Sequence, residues 1–280
     1  MIWKTSKRII DLGQPVIMGI LNLTPDSFSD GGRYAALEAA VSRAEGMVNE
    51  GAEIIDIGGE STRPGSSRIE ATVEIDRTAP IIEAIAARID VPISIDTSKS
   101  TVAEAAIAAG AEIINDISGL RFDERIAELS ARHKAGLVLM HSRGDFETMH
   151  SQPPVDDIFS DVETDFRRAL AAAIRHGVEH DRIVLDVGIG FGKTVEQNLE
   201  LIARLGKIGS AFSGYPLLIG ASRKSFIGKL LGGALPEDRL SGSLAAAVVS
   251  VSRGARIVRT HDVKETVDAI KVANAILQQS

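Results

Sequence analysis

Eight short apolar runs in this chain each end in, or lead directly into, polar side chains that could do chemistry. The runs have the length of buried strands, so these side chains would lie at strand ends. If the strands are parallel and close together, their polar ends converge on one mouth, and the whole chain contributes to a single site. The residues are Asn22, Asp56, Glu60, Asp96, Asn115, His141, Asp186, Ser222 to Lys224, Arg259 and His261.

The segments between the runs have the spacing of helices, and this alternation predicts the fold. Apolar residues recur every three or four positions, as in Leu37, Val41, Ala44 and Val48. Eight strand–helix units with polar strand ends predict an α/β fold, a (β/α)8 TIM barrel seen from its catalytic rim. The alternative is an open doubly wound sheet. A site spread over all eight strands favours the closed barrel, and we expect one domain over residues 1–280.

Loops and helix ends complete the expected barrel. Residues 4–11 precede the first strand and are expected to form a small hairpin that closes the barrel bottom. Helices are expected to stop at glycines shortly before the next strand: Gly51, Gly110, Gly136, Gly177 and Gly254. Three long loops fall on the rim, where lids and substrate clamps belong: residues 24–34, 58–68 and 143–157.

Composition narrows the class of protein. The 280 residues are 44% hydrophobic and only 4% aromatic, which fits buried parallel strands covered by helices. A net charge of −7 argues against a nucleic-acid surface, and the absence of cysteine excludes disulfides, thiolate metal sites and thiol nucleophiles. No run approaches a membrane helix and charges interrupt the N-terminus, so we expect neither a membrane partner nor a signal peptide. Cytoplasmic localisation is the expectation.

Asp96, Asn115 and Asp186 form an acidic and amide group at three strand ends. Two carboxylates and an amide offer acceptors to a flat heterocycle with an amino-pyrimidinone edge, which presents adjacent N–H donors. The alternative is that each residue caps a helix, with Asp96 starting a plausible cap. Three such residues at one rim favour ligand binding.

A basic group faces them and suggests an anion site. Lys224 and Arg259 follow the seventh and eighth strands, where barrels often bind phosphate. His261 can donate to an anion and change charge near neutral pH, and Arg63 lies on the second long loop. The alternative for Lys224 is a solvated helix start. Asn22 is a candidate Mg²⁺ ligand, since Mg²⁺ shared with substrate phosphates needs few protein ligands; a backbone-bonding turn residue is the alternative.

The remaining motifs are weaker. Residues 188–194 (GIGFGKT) match neither the phosphate-loop nor the dinucleotide fingerprint, so we interpret them as a glycine turn that brings the backbone close to a ligand after Asp186. Met140 and Phe191 are expected to pack against a ligand or the core. His141 is expected to be a satisfied core or rim histidine.

Several of these segments together resemble a known family. Residues 22–32 (NLTPDSFSDGG) and 58–65 (GGESTRPG) resemble the first and second signatures of dihydropteroate synthases. Further matches run in order along the chain: residues 94–97 (SIDT), 114–116 (IND), 140–141 (MH), 190–193 (GFGK), 222–225 (SRKS) and 259–261 (RTH). One departure is that Val187 and Ile189 flank Gly188 where the family usually has Asp-Pro-Gly.

The resemblance implies a transferase that joins a dihydropterin-methyl diphosphate to 4-aminobenzoate, with Mg²⁺, in folate biosynthesis. It implies a homodimer and sensitivity to sulfonamides, which mimic 4-aminobenzoate. By motif position, catalysis would fall to Asp96, Asp186, Lys224 and Arg63. The pterin would contact Asp96, Asn115, Asp186, Lys224, Arg259, Met140 and Phe191. The diphosphate would contact Asn22, Arg63, Arg259 and His261, with Asn22 on Mg²⁺, and 4-aminobenzoate would contact Thr62, Pro64, Phe28 and Ser225.

Three other functions remain in view. A pterin-barrel methyltransferase that uses methyltetrahydrofolate would share the acidic edge but has no evident need for residues 28–32 or for the Arg259 and His261 anion site. A non-catalytic pterin-binding paralogue would be suggested by loss of Lys224 or Arg63, and both are present. A phosphosugar aldolase needs a Schiff-base lysine at a strand end, whereas Lys99 and Lys224 fall in loops.

Overall fold

The computed structural model describes residues 1–23, 32–63, 65–277 and 279, and for residues 32–34 the backbone alone. Its strands are β1 (Ile2–Lys4), β2 (Ile9–Asp11), β3 (Val16–Asn22), β4 (Ile54–Gly58), β5 (Ile93–Asp96), β6 (Ile113–Asp116), β7 (Gly136–Met140), β8 (Ile183–Asp186), β9 (Leu217–Ile219) and β10 (Ile257–Thr260). Its α-helices are α1 (Gly32–Asn49), α2 (Ala71–Ala86), α3 (Ser100–Ala109), α4 (Arg125–His133), α5 (Ile158–Arg175), α6 (Val195–Ala203), α7 (Leu205–Ala211), α8 (Ser225–Leu230), α9 (Leu240–Ser252) and α10 (Val263–Leu277). Two short 3₁₀ helices span His180–Arg182 and Pro236–Arg239.

Strands β3 to β10 form a closed parallel barrel, which confirms the predicted (β/α)8 fold. Neighbouring strands pair in sequence order, and β10 returns to pair with β3. The closing register sets Ile257 opposite Val16 and Arg259 opposite Met18. Each strand is followed by at least one helix, because parallel neighbours need a crossover connection.

Alternation along the barrel strands separates an outer core from an inner one. Outward residues such as Ile55, Ile95 and Leu139 are buried against the surrounding helices. Inward residues near the strand starts form a second, apolar layer: Val16, Met18, Ile54, Ile113, Val138, Val184, Leu218 and Ile257. Two residues further along, the inward positions of most strands become polar. The inward side chains therefore form an apolar lower layer and a polar upper layer inside one barrel.

The N-terminal hairpin closes the bottom of the barrel, as predicted. β1 and β2 pair antiparallel, beginning at Ile2, two residues earlier than the sequence indicated. Trp3 is fully buried in the apolar inner layer, and its indole Nε1 donates to the carbonyl oxygen of Arg182 at 2.8 Å. The large aromatic side chain fills the space that the eight strands leave at their N-terminal end.

One predicted helix stop is wrong. Gly136 is the first residue of β7, and the left-handed position after α4 is Lys134, with φ +53°. A Cβ at Gly136 would lie 3.1 Å from Trp3 Cζ2 and 3.2 Å from Ile113 Cγ1. Glycine stands there because the indole packs on the β7 backbone, which the helix-stop pattern could not reveal.

Within residues 1–23, 32–63, 65–277 and 279, the helices fall short of the length and apolarity that crossing a membrane requires.

Candidate active site

An ion network joins four strand ends in the upper half of the barrel. Arg259 on β10 donates from Nε to Asp56 Oδ2 at 2.6 Å and from Nη2 to Asp96 Oδ2 at 2.7 Å. Asn115 on β6 donates from Nδ2 to the same Asp56 oxygen at 3.1 Å. These residues share the inward face of their strands at one level of the barrel, so positions far apart in sequence meet. Asp96 does not cap a helix here, contrary to the alternative interpretation.

Burial sets the charge states in this network. Asp56 is fully buried, and its Oδ1 has no hydrogen-bond partner in the described part of the chain. Burial raises the pKa of Asp96 to about 7, against the opposing effect of the Arg259 guanidinium. Burial alone would lower the pKa of Arg259, but the Asp56 and Asp96 carboxylates raise it above its usual value. The guanidinium therefore stays charged, whereas Asp96 exchanges its proton near neutrality.

Asp186 ends β8 on the same inward face, held by a glycine turn. The N–H of Gly188 donates to Asp186 Oδ1 at 2.8 Å, and burial raises the pKa of this carboxyl. Gly188 has φ +67°, and a Cβ there would lie 1.9 Å from the carbonyl oxygen of His141. The expected glycine turn is present, but its closest approach is to the strand end of β7. A Cβ at Gly220 would lie 4.0 Å from Asp186 Oδ2, so the missing side chain leaves space at that oxygen.

Lys224 and Phe191 form a second face of the mouth. Lys224 Nζ lies 4.1 Å from the centroid of the Phe191 ring, a cation–π contact. Burial and the nearby Arg259 lower the pKa of Lys224 to about 8, although Asp186 opposes them. His150 stacks on Phe191 with ring centroids 5.3 Å apart. Lys224 is the residue before α8, and because its ammonium lies over the Phe191 ring it is not a solvated helix start.

Met140 and Phe191 pack together in a small apolar cluster beside the mouth. Its other buried members are Ile117, Phe146 and Met149, with Phe122 packed against it. Met140 lies opposite Asp186 in the β7–β8 register, so the cluster adjoins the acidic edge. A flat ligand at that edge would therefore have an apolar wall on one side.

Lys193 is a half-buried lysine within residues 188–194, where the sequence suggested only a glycine turn. Its Nζ donates to the carbonyl oxygens of Gly188 at 2.8 Å and Phe191 at 3.0 Å, and lies 3.5 Å from that of His141. Burial lowers its pKa to about 7, against the attraction of Asp186. The ammonium thereby ties the β8 turn to the end of β7. No periodic pattern marks such a role, because its partners are backbone carbonyls.

His261 follows β10 and is linked to the loop after β9. Ser222 Oγ and His261 Nδ1 are 3.0 Å apart, and the His261 N–H donates to the same oxygen at 3.2 Å. Burial lowers the pKa of His261 to about 3, with Arg259 and Arg223 adding to the effect. The expectation that His261 changes charge near neutral pH is wrong, because burial, together with Arg259, Arg223 and Lys224, disfavours the charged imidazole.

The loop after β4 places two further predicted residues at the rim. Thr62 is half-buried, its carbonyl oxygen 2.7 Å from His150 Nε2, and Arg63 is exposed. Both line a cavity of about 590 Å³ whose far wall comes from the loop after β7. Ser225 is exposed at the first position of α8. Phe28 and Pro64 lie outside the described residues, as do residues 24–31 of the first long loop.

Asn22 ends β3 at the same rim, next to an open position. A Cβ at Gly58 would lie 3.7 Å from Asn22 Oδ1 and 3.6 Å from Asp96 Cβ. The missing side chain leaves a cradle between Asn22 and Asp96. No group of three or more His, Cys, Asp or Glu side chains suited to a metal ion occurs among the described residues.

Asp56 was named among the polar strand-end residues but given no role in the predicted site. A signal for it was present, because Ile54, Asp56 and Gly58 share one face of β4, and Ile54 belongs to the inward apolar layer. Strand parity alone would have placed Asp56 on the inward face, together with Asp96 and Asn115. What the sequence could not show is that Asp56 holds Arg259.

Comparison with known proteins agrees with this geometry. The family model described as pterin binding enzyme matches residues 18–261. A dihydropteroate synthase of Escherichia coli is 47% identical over 268 residues, covering 96% of this chain and 94% of that protein. A Yersinia pestis dihydropteroate synthase, solved with a sulfonamide drug complex, superposes with a TM-score of 0.92 at 41% identity, covering 99% of this chain and 100% of that one.

A second solved structure gives the same result with another ligand. The Xanthomonas albilineans dihydropteroate synthase, solved with 4-aminobenzoic acid, has a TM-score of 0.92 and 41% identity, covering 99% of this chain and 98% of that one. The family match spans the barrel from β3 to the His261 rim, and the curated relative is covered over 94% of its length. This chain therefore belongs to the pterin-binding enzyme family and, within it, to the dihydropteroate synthases.

Proposed function

We propose that this chain, acting as one barrel domain over residues 1–280, condenses a dihydropterin-methyl diphosphate with 4-aminobenzoate. The C–O bond between the pterin methylene and the diphosphate breaks, and a C–N bond to the aromatic amine forms. The amine gives up one proton, and the products are 7,8-dihydropteroate and pyrophosphate. The observation that carries the proposal is the buried acidic edge of Asp96, Asn115 and Asp186 facing the cations Lys224 and Arg259 in one barrel mouth.

The acidic edge would hold the pterin. Asp96 and Asp186 are carboxyls at strand ends on the inward face, and the Asn115 amide adds an acceptor and donors beside them. The amino-pyrimidinone edge presents N–H donors that suit ionised carboxylates. Arg259 would exchange its Asp96 contact for the ligand and stack on the pterin face, still anchored by Asp56. Lys224, Met140 and Phe191 would complete the pocket.

The diphosphate would lie toward Asn22, Arg63, Arg259 and His261. His261 would donate a hydrogen bond to the diphosphate, and Arg259 would supply positive charge at the strand ends. For Mg²⁺, the donor set fits: Asn22 is half-buried and its amide oxygen lies beside the space at Gly58, where phosphate oxygens and waters could supply the other ligands. When bound, the ion would supply charge that opposes the charge on the departing diphosphate.

The third subsite would take 4-aminobenzoate between the loops and α8. Thr62, Pro64, Phe28 and Ser225 would frame it, by motif position. Support comes from the relatives solved with 4-aminobenzoic acid and with a sulfonamide drug complex. Sulfonamides would therefore compete with 4-aminobenzoate in this protein.

We propose that loss of pyrophosphate runs ahead of attack by the amine. Asp96 and Asp186 are placed to stabilise cationic character on the pterin, while Lys224, Arg63, Arg259 and His261 stabilise the departing anion. The aromatic amine is neutral at pH 7, so the attack needs no general base. Comparing 4-aminobenzoate affinity for free enzyme and for enzyme holding pterin and pyrophosphate tests the order: equal affinities would contradict it.

We further propose a cytoplasmic homodimer. Exposed apolar side chains cluster around the connection from α8 to α9 and on α9 itself: Leu230, Leu231, Leu235 and Val249. A second copy of the chain is the occupant proposed for this surface. Sedimentation velocity of the wild type and of Leu231→Asp tests it: a dimer lost in the variant supports the proposal, and a monomeric wild type contradicts it.

The decisive test of the reaction is pyrophosphate release by the purified protein with the pterin diphosphate and Mg²⁺. Release that requires 4-aminobenzoate and yields dihydropteroate would establish the proposed function. Tight pterin binding without turnover would favour a methyltransferase or a non-catalytic relative. Neither binding nor turnover would show that the assignment of the site is wrong.

A further inference from the structure

Lys99 forms a buried ion cluster beside the site, outside the residues assigned so far. It follows β5 at the start of α3, and its Nζ donates to Glu60 Oε1, Glu74 Oε2 and the carbonyl oxygen of Ile69, each at 2.7 Å. The Lys99, Glu60 and Glu74 side chains are 11%, 7% and 0% exposed. An ammonium has three N–H donors, and each has a partner here.

The cluster closes the neck of the loop that carries Thr62 and Arg63. Glu60 stands where the loop leaves β4, and Ile69 stands where it enters α2. The Ile69 N–H donates to Glu60 Oε1 at 2.6 Å, while its carbonyl oxygen accepts from Lys99. Both backbone groups of Ile69 are therefore bound by one ion pair, and the two ends of the loop are tied at a single point.

Stability alone is a weak reason for this arrangement. A buried ion pair is often no more stable than apolar residues of the same volume, because desolvation offsets the attraction. Burial raises the pKa of Glu74 even though Lys99 opposes it. The partners of Lys99 are Glu60, Glu74 and Ile69, so the cluster acts on the loop neck and is separate from the acidic edge. An ionic clamp fixes position and direction where an apolar contact would allow sliding.

We propose that Lys99 is a positioning residue for the 4-aminobenzoate subsite, acting by fixing the loop that presents Thr62 and Arg63. Lys99 does not touch the reacting atoms. It holds the loop neck so that the two side chains beyond Glu60 meet the second substrate in one geometry. The inference rests on the proposed function, since it assigns Thr62 to that subsite.

Lys99→Met tests the clamp through steady-state kinetics. The KM for 4-aminobenzoate should rise about 10-fold or more, while affinity for the pterin substrate stays within about 3-fold, because the acidic edge keeps its own partners. A purely structural role would lower kcat through loss of folded enzyme and leave KM unchanged. Lys99→Arg keeps the charge but replaces three tetrahedral donors with a planar fork, so it should restore KM only in part.

A second readout does not need activity. The Arg68–Ile69 peptide bond is the trypsin site at the loop neck, and the N–H of Ile69 is held by Glu60. Lys99→Met should accelerate cleavage at this bond at least about 10-fold, because cleavage follows local opening. Cleavage after Arg125, an exposed residue at the start of α4, serves as the internal reference.

Two further variants keep the outcome interpretable. Glu60→Gln retains an oxygen acceptor for the Ile69 N–H but weakens the contact with Lys99, so it should show the same changes, smaller in size, even if Lys99→Met does not fold. Lys264→Met breaks a 2.9 Å surface pair with Asp268 and should change neither readout. Unchanged KM and unchanged cleavage in Lys99→Met or, failing that, Glu60→Gln would overturn the proposal. An inactive wild type with faster loop cleavage in Lys99→Met would count against the proposed reaction and leave the clamp standing.

Discussion

The lower and upper halves of the barrel interior are built by the same strands yet differ completely in chemistry. Below, Ile54, Ile113 and Val184 pack with Trp3 in an apolar layer without charge. Above, two residues further along the same strands, Asp56, Asn115 and Asp186 occupy the inward positions, with Asp56 paired to Arg259 on β10.

The difference shows how one alternation of inward and outward side chains along the strands serves both folding and ligand binding. Burial of apolar side chains in the lower half favours folding, by about 25 cal/mol per Å² removed from water. Burial of carboxylates in the upper half opposes folding unless they are paired, so that half depends on Arg259 until a ligand arrives. We therefore expect substitutions below to change stability with little effect on substrate affinity, and substitutions above to change ligand binding directly.

The largest effect is expected for Arg259→Met, which should disrupt the ion network of the upper half and leave the apolar lower half intact. Activity should fall about 10³-fold, since the cation that faces both the pterin and the diphosphate is lost. The free energy of unfolding should also fall by about 3–5 kcal/mol at pH 8, because Asp56 and Asp96 are left buried without their partner. Steady-state kinetics and urea unfolding measure the two changes.

A matched arginine provides the control for that variant. Arg125 pairs with Asp123 at the surface, with its side chain 70% exposed. Arg125→Met should change stability by less than about 0.5 kcal/mol and leave activity intact. If Arg259→Met behaved like Arg125→Met, the upper half would not depend on its ion network.

Trp3→Ala should disturb the packing of the lower half and leave the upper half intact. Trp3 is fully buried, so its loss should reduce the free energy of unfolding by about 3–5 kcal/mol. KM for both substrates should stay within about 2-fold, because Trp3 packs in the lower apolar layer and its indole is bound to the carbonyl of Arg182. Denaturant unfolding and kinetics at 25 °C measure both. Ile9→Ala on the same hairpin, where the side chain is 63% exposed, is the control and should have little effect.

A smaller effect is expected in the pH dependence of pterin affinity, which depends on the charged groups of the upper half and not on the apolar lower half. Asp96, with its pKa raised to about 7, must be ionised to accept from a pterin N–H, so affinity should fall about tenfold per pH unit below 7. Lys224, with its pKa lowered to about 8, loses its charge above that pH, so affinity should fall again. Calorimetric titration of pterin binding from pH 5 to 9 should give a maximum between 7 and 8.

Variants test which group causes the fall in pterin affinity at low pH. Asp96→Asn should remove the fall in affinity below pH 7, and Trp3→Ala should leave the whole profile unchanged in shape.

The raised pKa of Asp96 also has a consequence for folding. The folded state binds the Asp96 proton more tightly than the unfolded chain, so ionising Asp96 costs stability as pH rises from about 4 to 7. A profile without any change near pH 7 would contradict the assigned charge state.

The two halves also differ in how well the sequence predicts them. Alternating strands and strand-end polar residues were enough to predict the barrel, the hairpin and the meeting of Asp96, Asn115 and Arg259, because strand parity fixes inward positions. Parity could also have found Asp56. Trp3 packing on Gly136 could not be predicted, since the hairpin is not one of the barrel strands and parity does not fix where its side chains pack.

Other features of the site depend on through-space effects that no local pattern encodes. The low pKa of His261 follows from burial together with Arg259 and Arg223, and the sequence suggested the opposite behaviour. Lys193 binds backbone carbonyls of its own turn, and Lys99 binds the carbonyl of Ile69 on another segment, so no spacing of residue types marks either lysine. Lys99 was noticed only as a lysine unsuited to a Schiff base.

The most direct test of the account is the affinity of the dihydropterin for Asp186→Asn, measured by calorimetry beside the free energy of unfolding. Asparagine keeps the volume and one acceptor for the Gly188 N–H but removes the charge. The account predicts a loss of affinity of about 10- to 100-fold, the value of a hydrogen bond to a charged group, with unfolding unchanged or slightly more difficult. Unchanged affinity, or a loss of stability without a loss of affinity, would contradict the claim that the polar upper layer of the barrel interior is the pterin site.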